Sequence, residues 1–110
     1  DAGGAWCGEL AGALGSPLCG ALVPRKRHLF VTGPLAEVER SWPFTWDESA
    51  GFYFRPESGG LLFSPCDEQV GYPGDEAIDA AAEELALEKI GRSLPRLLEG
   101  RFRFRWAGQR

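Results

Sequence analysis

Residues 51–66 read GFYFRPESGGLLFSPC. Phe52–Phe54 and Leu61–Phe63 are short runs of aromatic and branched residues. Glu57–Gly60 between them has the length and composition that joins antiparallel hairpin strands. Upstream, Phe44–Trp46 is a third run of the same kind, connected through Asp47–Gly51. The three runs predict an antiparallel meander. Downstream, Gly71–Gly74 is a turn region, and Asp75 is read as the N-cap of a helix that starts at Glu76 and runs through alanine-rich sequence to Ile90. Ile78, Ala82 and Leu85 form one apolar stripe, which Leu87, Ile90, Leu94 and Leu97 continue after a slight rotation. Gly91 and Pro95 are expected to break or kink this helix and leave Pro95–Leu98 as a separate turn.

Towards the N-terminus, Val23–Thr32 reads as a strand entered by Arg25, Lys26 and Arg27 and closed by Gly33 and Pro34. His28, Phe30 and Thr32 share one face, with Leu29 and Val31 on the other. Asp1–Gly15 carries Trp6, Leu10 and Leu14 at a spacing of four, the pattern of a short helix, and Gly15, Ser16 and Pro17 end it. Glu37–Ser41 is charged and reads as a loop. At the other end, Arg101, Arg103 and Arg105 alternate strictly with Phe102, Phe104 and Trp106, which predicts a strand with one packed and one basic face. The order helix, strand, meander, helix, strand implies an α+β fold: an antiparallel (mixed-edge) sheet with one long helix and a short N-terminal helix packed on one face.

Composition narrows the function. The chain has 110 residues, 44% hydrophobic and 25% charged, which is one domain's worth and ordinary for a globular protein. Its 15 glycines and 8 prolines predict many tight turns. The net charge of −4 and a pI near 5.0 argue against nucleic acid as a partner, since domains that bind it usually have a pI above about 9. No apolar run approaches the roughly 20 residues of a membrane span. Cys7, Cys19 and Cys66 are odd in number and lack CxxC spacing, so they read as thiols in a reducing, cytoplasmic setting. The sequence contains no methionine and reads as a piece excised from something longer.

Sites of chemistry are sparse. His28 is the only histidine, and no GxSxG elbow supplies a serine for a triad. Asp67, Glu68, Asp75 and Glu76 flank a turn without ligand spacing, so no metal site is expected. Cys66, beside Pro65, reads either as a buried free thiol or as a nucleophilic or site-lining group. The chain has no GxGxxG or GxxxxGK, hence no dinucleotide or nucleotide phosphate cradle. Arg101, Arg103 and Arg105 are either the wet face of an edge strand or part of a site.

A resemblance goes further than spacing. Ala2–Leu10, AGGAWCGEL, is similar to the "AAGAWAGEL" that follows the last cofactor-domain strand in the FAD-dependent oxidoreductase family typified by D-amino-acid oxidase, glycine oxidase and sarcosine oxidase. Pro24–Thr32, PRKRHLFVT, resembles the family's strand leaving the cofactor domain. Gly51–Cys66 resembles its substrate-domain hairpin, and Trp106–Arg110, WAGQR, resembles "WAGLR", where the chain returns towards the flavin. The four stretches occur in family order and span the chain.

This resemblance implies that residues 1–110 are a single substrate-binding domain of a two-domain enzyme, with the FAD-binding domain as the missing partner. FAD is then the cofactor of the parent, none is expected bound to this fragment, and the fragment alone is expected to be inactive. Tyr53, three residues before Pro56, matches a tyrosine that contacts substrate carboxylate above the flavin. A core aromatic is its plainer reading. Arg110 matches the arginine that clamps the carboxylate, a task suited to a planar, permanently charged fork. Cys66 takes a place that lines the site in relatives, and Arg55 and His28 match less discriminating positions. Gly3, Gly4, Ala5 and Trp6 resemble a segment near the flavin, where small residues allow close backbone approach. The implied reaction is hydride transfer from an amino acid or a secondary or tertiary amine to flavin, with no acid or base demanded of this chain. A free-standing binding module, or a family member acting on a 2-hydroxy acid or glycerol phosphate, is the alternative. The apolar face carrying Tyr53 implies self-association of the isolated fragment.

Overall fold

The computed structural model describes residues 3–97 and 102–110. A 3₁₀ turn, Gly4–Trp6, leads into α1 (Cys7–Ala13), which buries none of its side chains. The strands are β1 (Arg25–Thr32), β2 (Thr45–Asp47), β3 (Phe52–Glu57), β4 (Gly60–Ser64), β5 (Gln69–Val70) and β6 (Phe102–Gln109), with α2 (Ala80–Ser93) between β5 and β6. Every pairing is antiparallel. The meander β2-β3-β4 joins β1, and β6 covers the other edge of β1 along its length.

Local chemistry explains the meander. Ser58 (φ 52°) and Gly59 (φ 81°) both adopt positive φ between the paired residues Glu57 and Gly60. This is the two-residue turn whose twist matches that of antiparallel strands. Gly60 is required for a different reason: a Cβ there would lie 2.2 Å from the Gly33 carbonyl oxygen and 2.5 Å from Thr32 Oγ1. The β2–β3 connection closes on Asp47, whose Oδ1 accepts from the Ala50 amide at 2.9 Å and from Ser49 Oγ at 2.8 Å. The Ala50 bond above all holds its carboxyl below the ordinary aspartate range.

The core lies between one face of the sheet and α2. Phe30, Phe52, Phe54, Leu61, Phe63 and Phe102 pack against Ala82, Ala86, Ile90 and Leu97. Large rings come from the strands and small methyls from the helix, so the helix can lie close to the sheet. Phe30 stacks on Phe102 at 4.7 Å and Phe52 on Phe63 at 5.2 Å.

One buried device fixes where the second half of the chain turns. β4 and β5 share the same edge of β1, one opposite Phe30 and Val31, the other opposite Arg25 and Lys26. Between them the ladder opens, and Asp67 fills the gap. Its Oδ1 accepts from the His28 amide at 2.9 Å, and Oδ2 pairs with His28 Nδ1 at 2.6 Å. The Asp79 amide donates to His28 Nε2 at 3.0 Å. That bond makes Nε2 an acceptor, so the imidazole carries its hydrogen on Nδ1 and both ring nitrogens are satisfied.

Three expectations are corrected. Helix α2 starts at Ala80, not Glu76. Asp79 is its N-cap, accepting from the Ala81 amide at 2.9 Å, whereas the Asp75 carboxylate takes Lys26 Nζ at 2.9 Å and the Ala77 amide at 3.0 Å. The helix also runs through Gly91 to Ser93. In β6, a register shift opposite Val31 and Thr32 breaks the alternation. Phe102 stays in the core while Phe104 and Trp106 face outward, and Arg105 turns towards α2. The expected positions of Arg101 and Leu98, like those of Asp1 and Ala2, lie outside the described residues.

Arg105 ties β6 to α2 through two bonds to Glu83, Nε to Oε2 at 2.7 Å and Nη2 to Oε1 at 2.6 Å. This bidentate bond, the largest cause, holds the Glu83 carboxyl below its ordinary range. A lowered carboxylate contributes stability that is fully present above the ordinary glutamate range and is lost as pH falls through the lowered folded-state value. Arg105→Gln is therefore expected to remove about 0.5–1 kcal/mol at neutral pH and much less in acid. Urea titrations of both proteins at pH 7 and pH 3 check this. An equal deficit at both pH values would contradict it.

Candidate functional site

The sheet face away from α2 has no layer over it among the described residues. Register places its side chains in rows across the strands. One row runs Trp46, Tyr53, Ser64 on β2, β3 and β4, with Leu29 and Trp106 paired beyond on β1 and β6. The next row runs Arg55, Leu62, Val31, Phe104. Tyr53 packs against Phe44 and Trp46, with ring centres 5.2 and 6.2 Å away. Four large aromatics of this surface remain open to solvent: Phe44 at 55%, Trp46 at 61%, Phe104 at 65% and Trp106 at 45%. Nothing in the sequence marks Phe104 and Trp106 as outward-facing. The register shift decides it, and a shift of one residue reverses every face beyond it.

Arg110 extends β6 by one more pair, exchanging both backbone bonds with Arg25 at 2.9 and 3.0 Å. Alternation from Trp106 through Gly108 puts its side chain on the same face as Tyr53. There the guanidinium bonds the carboxylate of Glu68, which also takes Arg27 Nη2 at 3.2 Å. Arg27 Nη1 lies 3.8 Å from Cys66 Sγ. Cys66 is half-buried at φ 53°, a backbone conformation that costs a non-glycine residue free energy. Cys66 and Arg110 thus gather about one arginine–glutamate pair. Neither Arg27 nor Glu68 was legible as a site residue, because they meet only through the β1–β5 ladder.

Gly4 and Ala5 share a depression of about 360 Å³ with Arg110, Gln109, Leu22, Val23 and Pro24. Gly3 (φ 124°) and Gly4 (φ 51°) occupy backbone conformations suited to glycine, and Trp6 is half exposed beside them. The structure thus brings Gly4 and Ala5 to Arg110. Tyr53 and Arg55 share the face but stand apart, three strands over. At the spacings of a regular sheet, Tyr53 and Arg110 are roughly 14 Å apart across the strands and about 13 Å along them.

A second depression, of about 560 Å³, lies over the second row. Among the described residues, no group of three or more His, Cys, Asp or Glu side chains could hold a metal, and no helix is long and apolar enough to cross a membrane.

The sheet is thus buried on one face by its own helix and is aromatic on the opposite face, which ends in a charged cluster. The profile of the family described as FAD dependent oxidoreductase matches residues 1–110. The chain belongs to that family. Among solved structures, the glycine oxidase from Geobacillus kaustophilus is similar over 99% of this chain and 28% of its own, at a TM-score of 0.68 and 20% identity. The glycine oxidase from Bacillus cereus ATCC 14579 is similar over 79% of this chain and 23% of its own, at a TM-score of 0.60 and 20% identity. The fold is therefore shared with these two proteins, and the chain spans about a quarter of their length.

Proposed function

We propose that this chain is the substrate-binding side of a FAD-dependent oxidoreductase that oxidises an amino acid or a secondary or tertiary amine, working in the cytoplasm against a separate FAD-binding domain. The observation that carries the reading is the helix-free sheet face, aromatic from Trp46 to Trp106, with Arg110 on the same side. Fit to FAD divides by chemical group. The flat apolar face suits the flavin ring system, whereas the sequence has no GxGxxG or GxxxxGK fingerprint to cradle the pyrophosphate. When bound, the flavin supplies the hydride acceptor.

The chain's own residues hold and enclose the substrate. Arg110 takes the carboxylate in a bidentate fork once it exchanges Glu68 for the ligand. Tyr53, too far across the sheet to share that carboxylate, walls the aromatic side of the face with its ring and has one hydrogen bond to donate there. Trp106 and Leu29, lying between them, exclude water. Arg55 and Cys66 line the two ends. Gly3, Gly4, Ala5 and Trp6 are assigned to the cofactor side, where the two glycines, lacking Cβ atoms, permit close approach. Orientation of the reacting carbon accounts for several kcal/mol of the barrier with no acid or base from this chain.

The test is anaerobic flavin reduction in the full-length protein with three substrate sets: α-amino acids and N-methylated amino acids, 2-hydroxy acids, and glycerol phosphate. Bleaching of the flavin band by the first set alone is expected. Bleaching only by either of the others would overturn the amine assignment. Taken alone, the 110-residue chain is expected to emerge colourless from desalting after mixing with FAD. A yellow chromophore retained at one per chain would refute this. The isolated chain is also expected to self-associate through its aromatic face. Light scattering showing a strict monomer at high concentration would count against that.

A further inference from the structure

The 560 Å³ depression over the second row has its own chemistry. Its floor is Val31 and Leu62, both 6% exposed, and its apolar wall is Phe104 and Trp106. This volume is that of a site for a small organic molecule. The rim hydroxyls are already engaged. Thr32 Oγ1 donates to the Gly33 carbonyl at 2.8 Å and accepts from the Leu61 amide at 2.9 Å, and Ser58 Oγ donates to Glu57 at 3.0 Å. The polar capacity left over is that of the guanidinium groups of Arg55 and Arg103, which only donate. Arg55 is paired with Glu57 at 2.8 Å. Arg103 has no ion-pair partner among the described residues, and its stem packs beside Gly33, where a Cβ would lie 3.4 Å from Arg103 Cδ. Two cations and one anion leave a single net positive charge beside an apolar floor and an aromatic wall.

We propose that this depression binds a small aromatic carboxylate, with its ring over Val31 and Leu62 against Trp106 and its carboxylate on Arg103. One uncompensated charge matches a monoanion better than a phosphate, which carries about −1.5 to −2 at neutral pH. The site lies on the face proposed to cover the flavin and borders the Tyr53 row through Trp106; because binding is measured without flavin, its failure is distinguishable from failure of that reading.

The test uses the 110-residue chain labelled with ¹⁵N at low concentration, following the Trp106 indole and Arg103 Nε signals. The probes are 3-phenylpropionate, 3-phenylpropanamide and phenyl phosphate. Saturable binding of 3-phenylpropionate is expected at a Kd on the order of 1 mM for a ligand of this size. The neutral amide and the Arg103→Gln variant should each weaken it about five-fold, phenyl phosphate should bind no tighter, and Arg92→Gln on the far side of α2 should leave it unchanged. Absence of saturation, or equal binding of acid and amide, overturns the proposal. So does an Arg103→Gln chain that keeps its spectrum and binds undiminished. Tighter binding of phenyl phosphate overturns the monoanion assignment.

Discussion

Replacing Asp67 by alanine is expected to cost about 2–6 kcal/mol, because two buried donors lose their acceptor at about 1–3 kcal/mol each. His28 is fully buried and Asp67 nearly so. The substitution leaves the His28 amide and Nδ1 without acceptors in a place water does not reach. The damage spreads beyond the pair, because His28 Nε2 also takes the amide of Asp79 at the start of α2, and the His28 carbonyl accepts from Ser64 Oγ at 3.0 Å. Asp67→Asn should cost less. Its side-chain oxygen can still serve the backbone amide, although its NH₂ group then confronts Nδ1–H. Urea unfolding at neutral pH measures both, and an alanine variant within about 1 kcal/mol of the parent would mean that the gap in the ladder is hydrated.

For the proposed enzyme, Arg110→Lys is expected to raise KM and slow flavin reduction together, with kcat/KM falling by about 10- to 100-fold. Lysine keeps the charge and loses the fork, so a carboxylate held at one point can rotate and misalign the carbon above the flavin. Tyr53→Phe removes one neutral hydrogen bond and should cost about 0.5–1.5 kcal/mol. Stopped-flow reduction across substrate concentrations separates the two effects. Unchanged kinetics in Arg110→Lys would leave Glu68 as the sole partner of that guanidinium and withdraw it from the substrate.

What could be read from the sequence depended on how far apart the deciding residues lie. The meander was legible because each hairpin is written in adjacent residues, and the face shared by His28, Phe30 and Thr32 followed from alternation alone. The start of α2 was not, because two aspartates four residues apart could each cap it. The choice between them is made by Lys26 on Asp75 and by His28 on the Asp79 amide, both contacts across the fold. The two-residue strand β5 carries too little pattern to announce itself. In β6 a single register shift moved Phe104 and Trp106 from the expected core to the open face, and with them the wall of the larger depression. Tyr53 and Arg110 drew attention only through family resemblance. Their common face is a matter of register, and the Arg27–Glu68 pair that meets Arg110 had no sequence signal.

The proposed role requires the helix-free face to be the one that closes over the flavin and its substrate. Hydroxyl-radical footprinting of the full-length flavin-bound protein tests this directly, because the face carries Tyr53, Phe104 and Trp106 while Leu87 stands 42% exposed on α2, on the other side of the sheet. Phe104 and Trp106 are predicted to be protected relative to the isolated 110-residue chain measured below its association concentration, with Leu87 equally reactive in both. If Phe104 and Trp106 oxidise in the flavin-bound protein as fast as in the isolated chain, the face is not covered and the proposed role is wrong.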